Sequence, residues 1–218
     1  ERRMKMEYIR WGLYFLGLII FGYGIAITIK VQHLGLPPWD VLHVALYERL
    51  GLSIGTWTII IGAILIVISF FLDKSYIKLG TFINVIVVGA FVDFFLWVDC
   101  LPPTTYTWID IPSMLLGIVL MGLGGGMYNA AHVGAGPRDG FMLSLSEKLN
   151  TPIRRVKIII ESGVLIIGLL LGGPVFIITF IFTFVQSPLF QSTYLFFTKI
   201  VSQFEHKTNH KKVKRTIS

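Results

Sequence analysis

The sequence predicts an all-α membrane protein with six transmembrane helices, built as two inverted three-helix repeats that each carry a short motif helix. Three observations predict it. The composition is too apolar for a soluble protein, because 54% of the 218 residues are hydrophobic and only 14% are charged, whereas about 25% are charged in soluble domains. The mean hydropathy is +0.74, and the apolar residues form blocks of about 20, the length that crosses a membrane. Two parts of the chain also match each other at a constant spacing.

Each predicted span comes close to the ~20 residues that cross a hydrocarbon layer ~30 Å thick. Polar or helix-breaking residues separate several of them, at Asp73–Ser75, Pro102–Pro103 and Gly172–Pro174. The predicted spans are Tyr8–Ile29, Ile54–Leu72, Leu79–Val98, Pro112–Ala131, Arg155–Leu171 and Pro174–Thr198. They define a cytoplasmic N-terminus (1–7), a first repeat (8–98), an external loop (99–111), a second repeat (112–198) and a basic cytoplasmic tail (199–218).

The distribution of Lys and Arg predicts the orientation. With the N-terminus inside, all of the 19 Lys and Arg residues except Lys30 and Arg49 fall on the cytoplasmic side, which is the bias of multi-pass proteins. We therefore expect a protein of the inner or plasma membrane with both ends in the cytoplasm. The net charge of +7 is then explained by topology and by anionic lipid near the basic tail, and not by nucleic acid.

An internal duplication is the most informative pattern. Gly17–Gly24 in the first span matches Gly117–Gly124 in the fourth, and the stretch GLPPWD at Gly35–Asp40 matches GAGPRD at Gly134–Asp139. The offset stays between 98 and 100 residues along the chain. Because each half holds an odd number of spans, the halves face opposite ways, as in many secondary transporters.

Each motif predicts a loop followed by a short helix, over residues 35–50 and 134–149. Pro suits the first helical turn, and Asp40 and Asp139 are expected at the N-cap. Two interpretations stay open: amphipathic helices lying at the interface, or re-entrant half-helices that meet near the midplane and line a cavity with their loops. The candidate substrate-binding residues of the motifs are Gly35, Pro37, Pro38, Asp40, Gly134, Gly136, Pro137, Arg138 and Asp139.

Two carboxylates inside predicted spans complete the candidate site, since a charged side chain at the bilayer centre costs about 2.5–3.5 kcal/mol on insertion scales. Asp93 lies near the outer end of the third span, so either the wet interface or a cavity explains it. Glu161 lies four residues after Lys157, which fits a structural i,i+4 pair or an ion-coupling carboxylate.

Catalytic and metal motifs are missing from the sequence. It contains no nucleophile elbow, P-loop or dinucleotide fingerprint, so we expect no enzyme, no catalytic residue and no cofactor. His33, His43 and His132 lack the spacing of metal ligands, and the single Cys100 excludes an intramolecular disulfide.

The GLPPWD and GAGPRDG stretches, each placed after a Gly-rich helix, resemble the YczE/YyaS/YitT family of bacterial integral membrane proteins. The resemblance covers Tyr8 to Thr198, and Gly134–Gly140 is its most specific part. It implies the membrane location and the fold. It implies no substrate and supplies no catalytic residues.

Two functions remain in competition. The first is a permease-like transporter of a small solute or ion, working by alternating access around a midplane site and, without a nucleotide-binding motif, secondary or passive. The alternative is a non-transporting accessory protein that anchors or modulates a partner enzyme through the basic loop 138–157 and the tail. Expected partners are the lipid bilayer, a small solute and anionic lipid at the tail, while a homodimer or a partner protein is left open.

Overall fold

A computed structural model describes residues 2–216, without the side chains at 2, 3, 5, 76, 153, 154, 183, 184, 187 and 205–216. This part of the chain is all-helical, as predicted. Short 3₁₀ turns lie at Gln32–Leu34 and Lys74–Tyr76. The α-helices are α1 (Arg2–Lys30), α2 (Pro38–Leu50), α3 (Ile54–Leu72), α4 (Leu79–Val98), α5 (Asp110–Ala130), α6 (Pro137–Lys148), α7 (Ile153–Leu170) and α8 (Ile177–Thr216).

Four helices of the described part are long and apolar enough to cross a membrane: Met6–Lys30 within α1, and all of α3, α4 and α5. Large apolar side chains cover their outer faces, for example Phe71 at 76% exposed and Ile86 at 59% exposed. Contiguous apolar surface of this kind is rare on soluble monomers and is expected where lipid is the solvent. The chain is therefore a membrane protein.

The order of the helices repeats. Each half consists of a long helix, a short helix and two further long helices. The second, third and fourth helices begin at Pro38, Ile54 and Leu79 in the first half, and 98 or 99 residues later in the second. The duplication seen in the sequence thus continues into the secondary structure.

Glycines bring α1 and α5 into backbone contact. A Cβ added to Gly17 would lie 2.8 Å from the carbonyl oxygen of Gly124, and one added to Gly24 would lie 2.8 Å from the carbonyl oxygen of Gly117. The early glycine of each helix thus meets the late glycine of the other, so the two helices run antiparallel. Small residues at such crossings let helix backbones approach closely in membranes.

The short helices pack across the two halves. Helix α2 packs against α7, where a Cβ on Gly168 would lie 2.8 Å from Cγ1 of Val41. Helix α6 packs against α3, where a Cβ on Gly62 would lie 3.5 Å from Cγ of Pro137. Each short helix therefore packs against a long helix of the other half.

The loops before the short helices also contact long helices of the other half. The backbone N–H of Leu36 donates to the Thr179 hydroxyl at 3.1 Å, at the start of α8. Gly134 lies against the start of α4, where its added Cβ would be 2.5 Å from the backbone nitrogen of Thr81. Gly35 and Gly134 are thus buried packing positions that only a residue without a side chain can occupy.

The predicted N-caps are wrong. Helices α2 and α6 begin at Pro38 and Pro137 and follow Pro37 and Gly136, so Asp40 and Asp139 lie in the first turn, and no side chain caps either helix. The physical reason is that Pro at the first helical position fixes φ and has no N–H to satisfy, so the helix can start without a side-chain cap.

The other boundaries differ little from the prediction. Helices α3 and α4 have the predicted bounds, whereas α8 begins three residues later than expected and its backbone continues as a helix to Thr216. The N-terminal segment is helical from Arg2. Residues 1, 217 and 218 lie outside the described residues, as do the basic side chains of the tail from 205 onwards.

Candidate functional site

The N-terminal ends of α2 and α6 meet inside the protein. All residues of α2 from Pro38 to Ala45 are buried, and only its last turns are exposed. From α6, Nη2 of Arg138 lies 3.5 Å from Oδ1 of Asp40, and the guanidinium lies 5.2 Å from the centre of the Trp39 ring. Since Asp40 is only 1% exposed, this ion pair is an interior contact between the two short helices.

A cavity of about 120 Å³ adjoins this contact. Most of its lining consists of residue pairs that are 98 to 100 positions apart in the sequence. Six pairs come from the short helices and from α3 and α7: Pro37 with Gly136, Pro38 with Pro137, Trp39 with Arg138, His43 with Met142, Thr58 with Lys157, and Gly62 with Glu161. Three come from the other long helices: Phe21 with Met121, Asn84 with Phe182, and Val88 with Gln186. The cavity therefore lies where equivalent residues of the two halves face each other.

The charged members of the lining all belong to the second half. Arg138, Lys157 and Glu161 correspond to Trp39, Thr58 and Gly62, which carry no charge. Nζ of Lys157 lies 3.8 Å from Oε1 of Glu161, so the i,i+4 pair predicted from the sequence forms, and it forms at the cavity. Equivalent positions of the two halves thus line the site, but only the second half places charged side chains there.

Asp139 is the remaining charged residue of the lining. Its Oδ2 accepts a hydrogen bond from Nδ2 of Asn129 at 3.3 Å. A Cβ added to Gly136 would lie 3.4 Å from this Oδ2 and 3.0 Å from the hydroxyl of Tyr128. Gly136 thus leaves room between the carboxylate and the Tyr128 ring.

His43 is a buried polar residue of the cavity wall, 1% exposed. Its Nδ1 lies 3.3 Å from Oγ1 of Thr58 and 3.6 Å from Oδ1 of Asp40. The Thr58 hydroxyl donates its one proton to the carbonyl of Ile54 at 3.0 Å, so Nδ1 of His43 must be the donor toward Thr58. In the neutral ring, Nε2 is then an acceptor, and it has no hydrogen-bond partner within the described part of the chain.

A larger groove of about 600 Å³ adjoins the cavity, and Asp139, Met142, Lys157 and Phe190 line both. The groove extends to Ser75 and Lys78 in the connection between α3 and α4. The distribution of Lys and Arg predicts this side to be cytoplasmic. Leu36, Val41 and Val44, in the first motif loop and in α2, are fully buried. The cavity continues, through the four shared lining residues, into a groove that extends to the α3–α4 connection.

A turn that Asp73 stabilises lies beside the groove, at the groove-lining residue Ser75. Oδ1 of Asp73 accepts the backbone N–H of Ser75 at 2.8 Å, and this bond holds the pKa of the Asp73 carboxyl below its usual range. The Ser144 hydroxyl of α6 donates to the Gly140 carbonyl oxygen at 2.8 Å and lies 3.4 Å from the Asp73 carbonyl oxygen. The turn thus links the α3–α4 connection to the second short helix.

The structure brings most of the predicted site residues together. Pro37, Pro38, Gly136, Pro137, Arg138, Asp139 and Glu161 line the cavity. Asp40 lies behind it, in contact with Arg138. Gly35 is a packing residue away from the cavity, and Gly134 lines only the groove.

Asp93 is separate from the cavity. Its Oδ1 accepts the backbone N–H of Gly55 at 2.8 Å, and its Oδ2 accepts the hydroxyl of Ser53, at the first turn of α3. A carboxylate is stabilised there by the free N–H groups and the helix dipole. This cap accounts for the carboxylate in α4 without a solute.

Sequence reasoning missed Trp39 and His43 as site residues. The signal for Trp39 was its equivalence to Arg138 in the duplicated motif, because equivalent residues of the two halves line the cavity together. The signal for His43 was weaker. It lies one turn after Asp40 on the same face of α2, which places two polar groups side by side on a mostly apolar helix.

Comparisons with known proteins identify the family of the chain. Residues 8–199 match a family described as "Family of unknown function (DUF6198)". The uncharacterised membrane protein YczE of Bacillus subtilis (strain 168) is 39% identical over 174 residues, covering 79% of this chain and 80% of YczE. An uncharacterised protein of Haemophilus influenzae (strain ATCC 51907 / DSM 11121 / KW20 / Rd) is 30% identical over 189 residues, 87% of this chain and 83% of that protein. The uncharacterised protein YyaS of Bacillus subtilis (strain 168) is 27% identical over 173 residues, 78% of this chain and 83% of YyaS. No solved structure gives a significant match.

Proposed function

This chain is a membrane protein of the DUF6198 family, with YczE and YyaS among its relatives, and from that premise we propose that it is a permease for a small solute. One observation carries the proposal: a cavity that contains four charged side chains is lined mostly by equivalent residues of two duplicated halves. In transporters built from inverted repeats, the substrate site lies at the interface between the repeats. The motif resemblance to the YczE/YyaS family is confirmed by these relatives.

The proposal includes six spans in two inverted repeats. The antiparallel contact of α1 with α5 supports the inversion, because these helices are equivalent in the duplication. The exposed apolar side chains of α7 support a fifth span, among them Ile159, Ile166 and Leu170. Exposed Phe180 and Phe196 support a sixth within α8. Apolar side chains are expected on the outer surface of a helix that faces lipid.

The short helices are re-entrant in this proposal. A helix lying at the interface exposes one face along its whole length, whereas α2 is buried from Pro38 to Ala45 and exposed only near its end. Such a gradient is expected for a half-helix that dips into the protein. Irregular backbone at membrane depth is tolerated where it lines a cavity, and the loops before α2 and α6 contribute Pro37 and Gly136 to the cavity.

The mechanism is alternating access. The groove extends to the α3–α4 connection, on the side that the distribution of Lys and Arg predicts to be cytoplasmic, so in this proposal the structure corresponds to an inward-facing state. Each short helix is packed on a long helix of the other half, so a rocking of the halves about the α1–α5 glycine contact would move both short helices at once. Solute released from Arg138 and Asp139 would leave through the groove.

The accessory-protein alternative has less support from the structure. It needs the basic segment 138–157 as a docking surface, but Arg138 and Lys157 line the cavity and are paired with carboxylates there. Lys148 and Arg155 are exposed and are the described basic residues of this segment that fit a docking role.

The test compares metabolite profiles of a deletion strain and its parent, followed by uptake of the changed metabolites into proteoliposomes containing the purified full chain. We expect at least one to accumulate faster than in protein-free liposomes. Asp139→Asn and Asp40→Asn should abolish the uptake, while Asp99→Asn, the same change at an exposed position, should leave it intact. If none of the changed metabolites enters, and only removal of the tail reproduces the deletion phenotype, the permease proposal fails and the accessory role replaces it.

A further inference from the structure

Among the side chains that the structure describes, the charges around the cavity do not cancel. Arg138 is paired with Asp40 at 3.5 Å, and Lys157 is paired with Glu161 at 3.8 Å. Asp139 has the amide of Asn129, but within the described side chains no Lys or Arg nitrogen lies within 4.0 Å of it. Counted in their charged forms, the described side chains around the cavity thus include three carboxylates and two cations. A carboxylate without a cation of its own attracts an added positive charge, and it does so more strongly inside a protein than in water.

Aromatic rings line the same cavity as this carboxylate. Five line the cavity: Phe21, Trp39, Tyr128, Phe182 and Phe190. The faces of such rings attract cations, and aromatic enclosures are used to bind ammonium groups. Asp139 and the Tyr128 hydroxyl flank the space beside Gly136, so the carboxylate and an aromatic side chain border the same part of the cavity.

The volume limits the solute. One water needs about 10–15 Å³ of cavity volume, so the cavity of about 120 Å³ holds roughly ten water-sized groups. A nucleotide or an oligosaccharide is too large for it. A second negative charge would add to the excess on the carboxylates, and a zwitterion would leave that excess unchanged.

We infer that the cavity binds a small organic monocation, an amine or a quaternary ammonium of at most about ten non-hydrogen atoms, with Asp139 as its counter-ion and the aromatic rings as its walls. The inference rests on the proposed permease function and specifies its solute class. Asp139 also lines the inner groove, so the counter-ion is accessible from the side on which the site is open.

Binding can be measured with the full chain purified in detergent, using tetramethylammonium, ethylammonium, glycine and acetate as probes at a fixed ionic strength set with sodium chloride. We expect the two cations to raise the melting temperature in a saturable manner and glycine and acetate to leave it unchanged. Asp139→Asn should weaken cation binding at least about tenfold, since it removes the counter-ion. Asp99→Asn, an exposed change of the same chemistry, should leave the dissociation constant unaltered.

The aromatic wall provides a second variant pair should Asp139→Asn fail to fold. Trp39→Phe keeps a ring face and should bind tetramethylammonium within about threefold of the parent, whereas Trp39→Leu should weaken binding by about two- to thirtyfold. Saturable binding of acetate or glycine in preference to the cations overturns the inference. So does cation binding that neither Asp139→Asn nor Trp39→Leu weakens.

Flux separates this inference from the permease proposal. Proteoliposomes with an inside-negative potassium diffusion potential should take up radiolabelled ethylammonium, and Asp139→Asn should abolish the uptake. If an anion or a zwitterion is transported instead, the permease proposal stands and the monocation inference falls. If the cations bind at Asp139 but do not cross the membrane, the binding site stands and the permease proposal falls.

Discussion

Gly124→Ala tests the contact on which the two halves meet. A Cβ at this position would lie 2.5 Å from the backbone nitrogen of Phe21 and 2.6 Å from the carbonyl oxygen of Gly17. Both are backbone atoms of α1, so no side chain can rotate away, and the helices must separate. Overpacking of this kind costs about 1–3 kcal/mol.

Gly12→Ala is the matched control, since the same substitution in α1 meets no atom within 4 Å. At such a free position Ala stabilises a helix by about 0.5–1 kcal/mol relative to Gly. Because both substitutions gain the helix propensity of Ala, the two variants should differ by the overpacking cost alone, roughly 1–3 kcal/mol in the free energy of unfolding.

The assay is reversible unfolding of the purified chain in mixed micelles with increasing SDS, followed by circular dichroism. We expect Gly124→Ala to unfold at lower SDS than the parent and Gly12→Ala at equal or higher SDS. Equal stability of the two variants would show that α1 and α5 are not in backbone contact at these glycines.

Three further results are expected. Arg138→Gln leaves Asp40 buried without its cation and should destabilise the chain by about 3–5 kcal/mol, and adding Asp40→Asn should restore part of the loss in the same SDS assay. Asp93→Ala removes charged hydrogen bonds from the start of α3 and should cost about 1.5–3 kcal/mol, with the transport rate per folded molecule unchanged; a lost transport rate would place it in the site. The pKa of Asp73 is lowered on folding by the N–H of Ser75, so its contribution to stability is present above the unfolded pKa and lost as the pH falls through the folded pKa. Asp73→Asn should accordingly reduce the loss of stability on acidification below about pH 4, and an unchanged acid profile would contradict this.

The sequence was sufficient for features that depend on local composition. The apolar blocks located α3 and α4 to the residue, because a span needs about 20 apolar residues and polar residues end it. The 98–100 offset located the two short helices. Their first residues were misjudged because Asp40 and Asp139 look like caps, while Pro38 and Pro137 begin the helices without one.

Features that depend on contacts between distant parts of the chain could not be predicted in this way. Whether Asp93 faced a cavity depended on Ser53 and Gly55, which lie about 40 residues away and become its partners only when α3 packs on α4. Likewise, nothing local to Trp39 shows that it will stack on Arg138. The duplication held this information, since Trp39 and Arg138 occupy equivalent positions of the two motifs.

The sidedness of Leu50 and Leu149 tests most directly whether the duplicated halves lie in opposite orientations. These residues are equivalent in the duplication, lie at the ends of the short helices and are 65% and 58% exposed. Each would be replaced by Cys in a chain whose exposed Cys100 is changed to Ser, and labelled in sealed right-side-out vesicles with a membrane-impermeant maleimide. We expect Leu50→Cys to react from the outside and Leu149→Cys to react only after the vesicles are opened. Reaction of both positions from the same side would contradict the inverted arrangement and with it the proposed site.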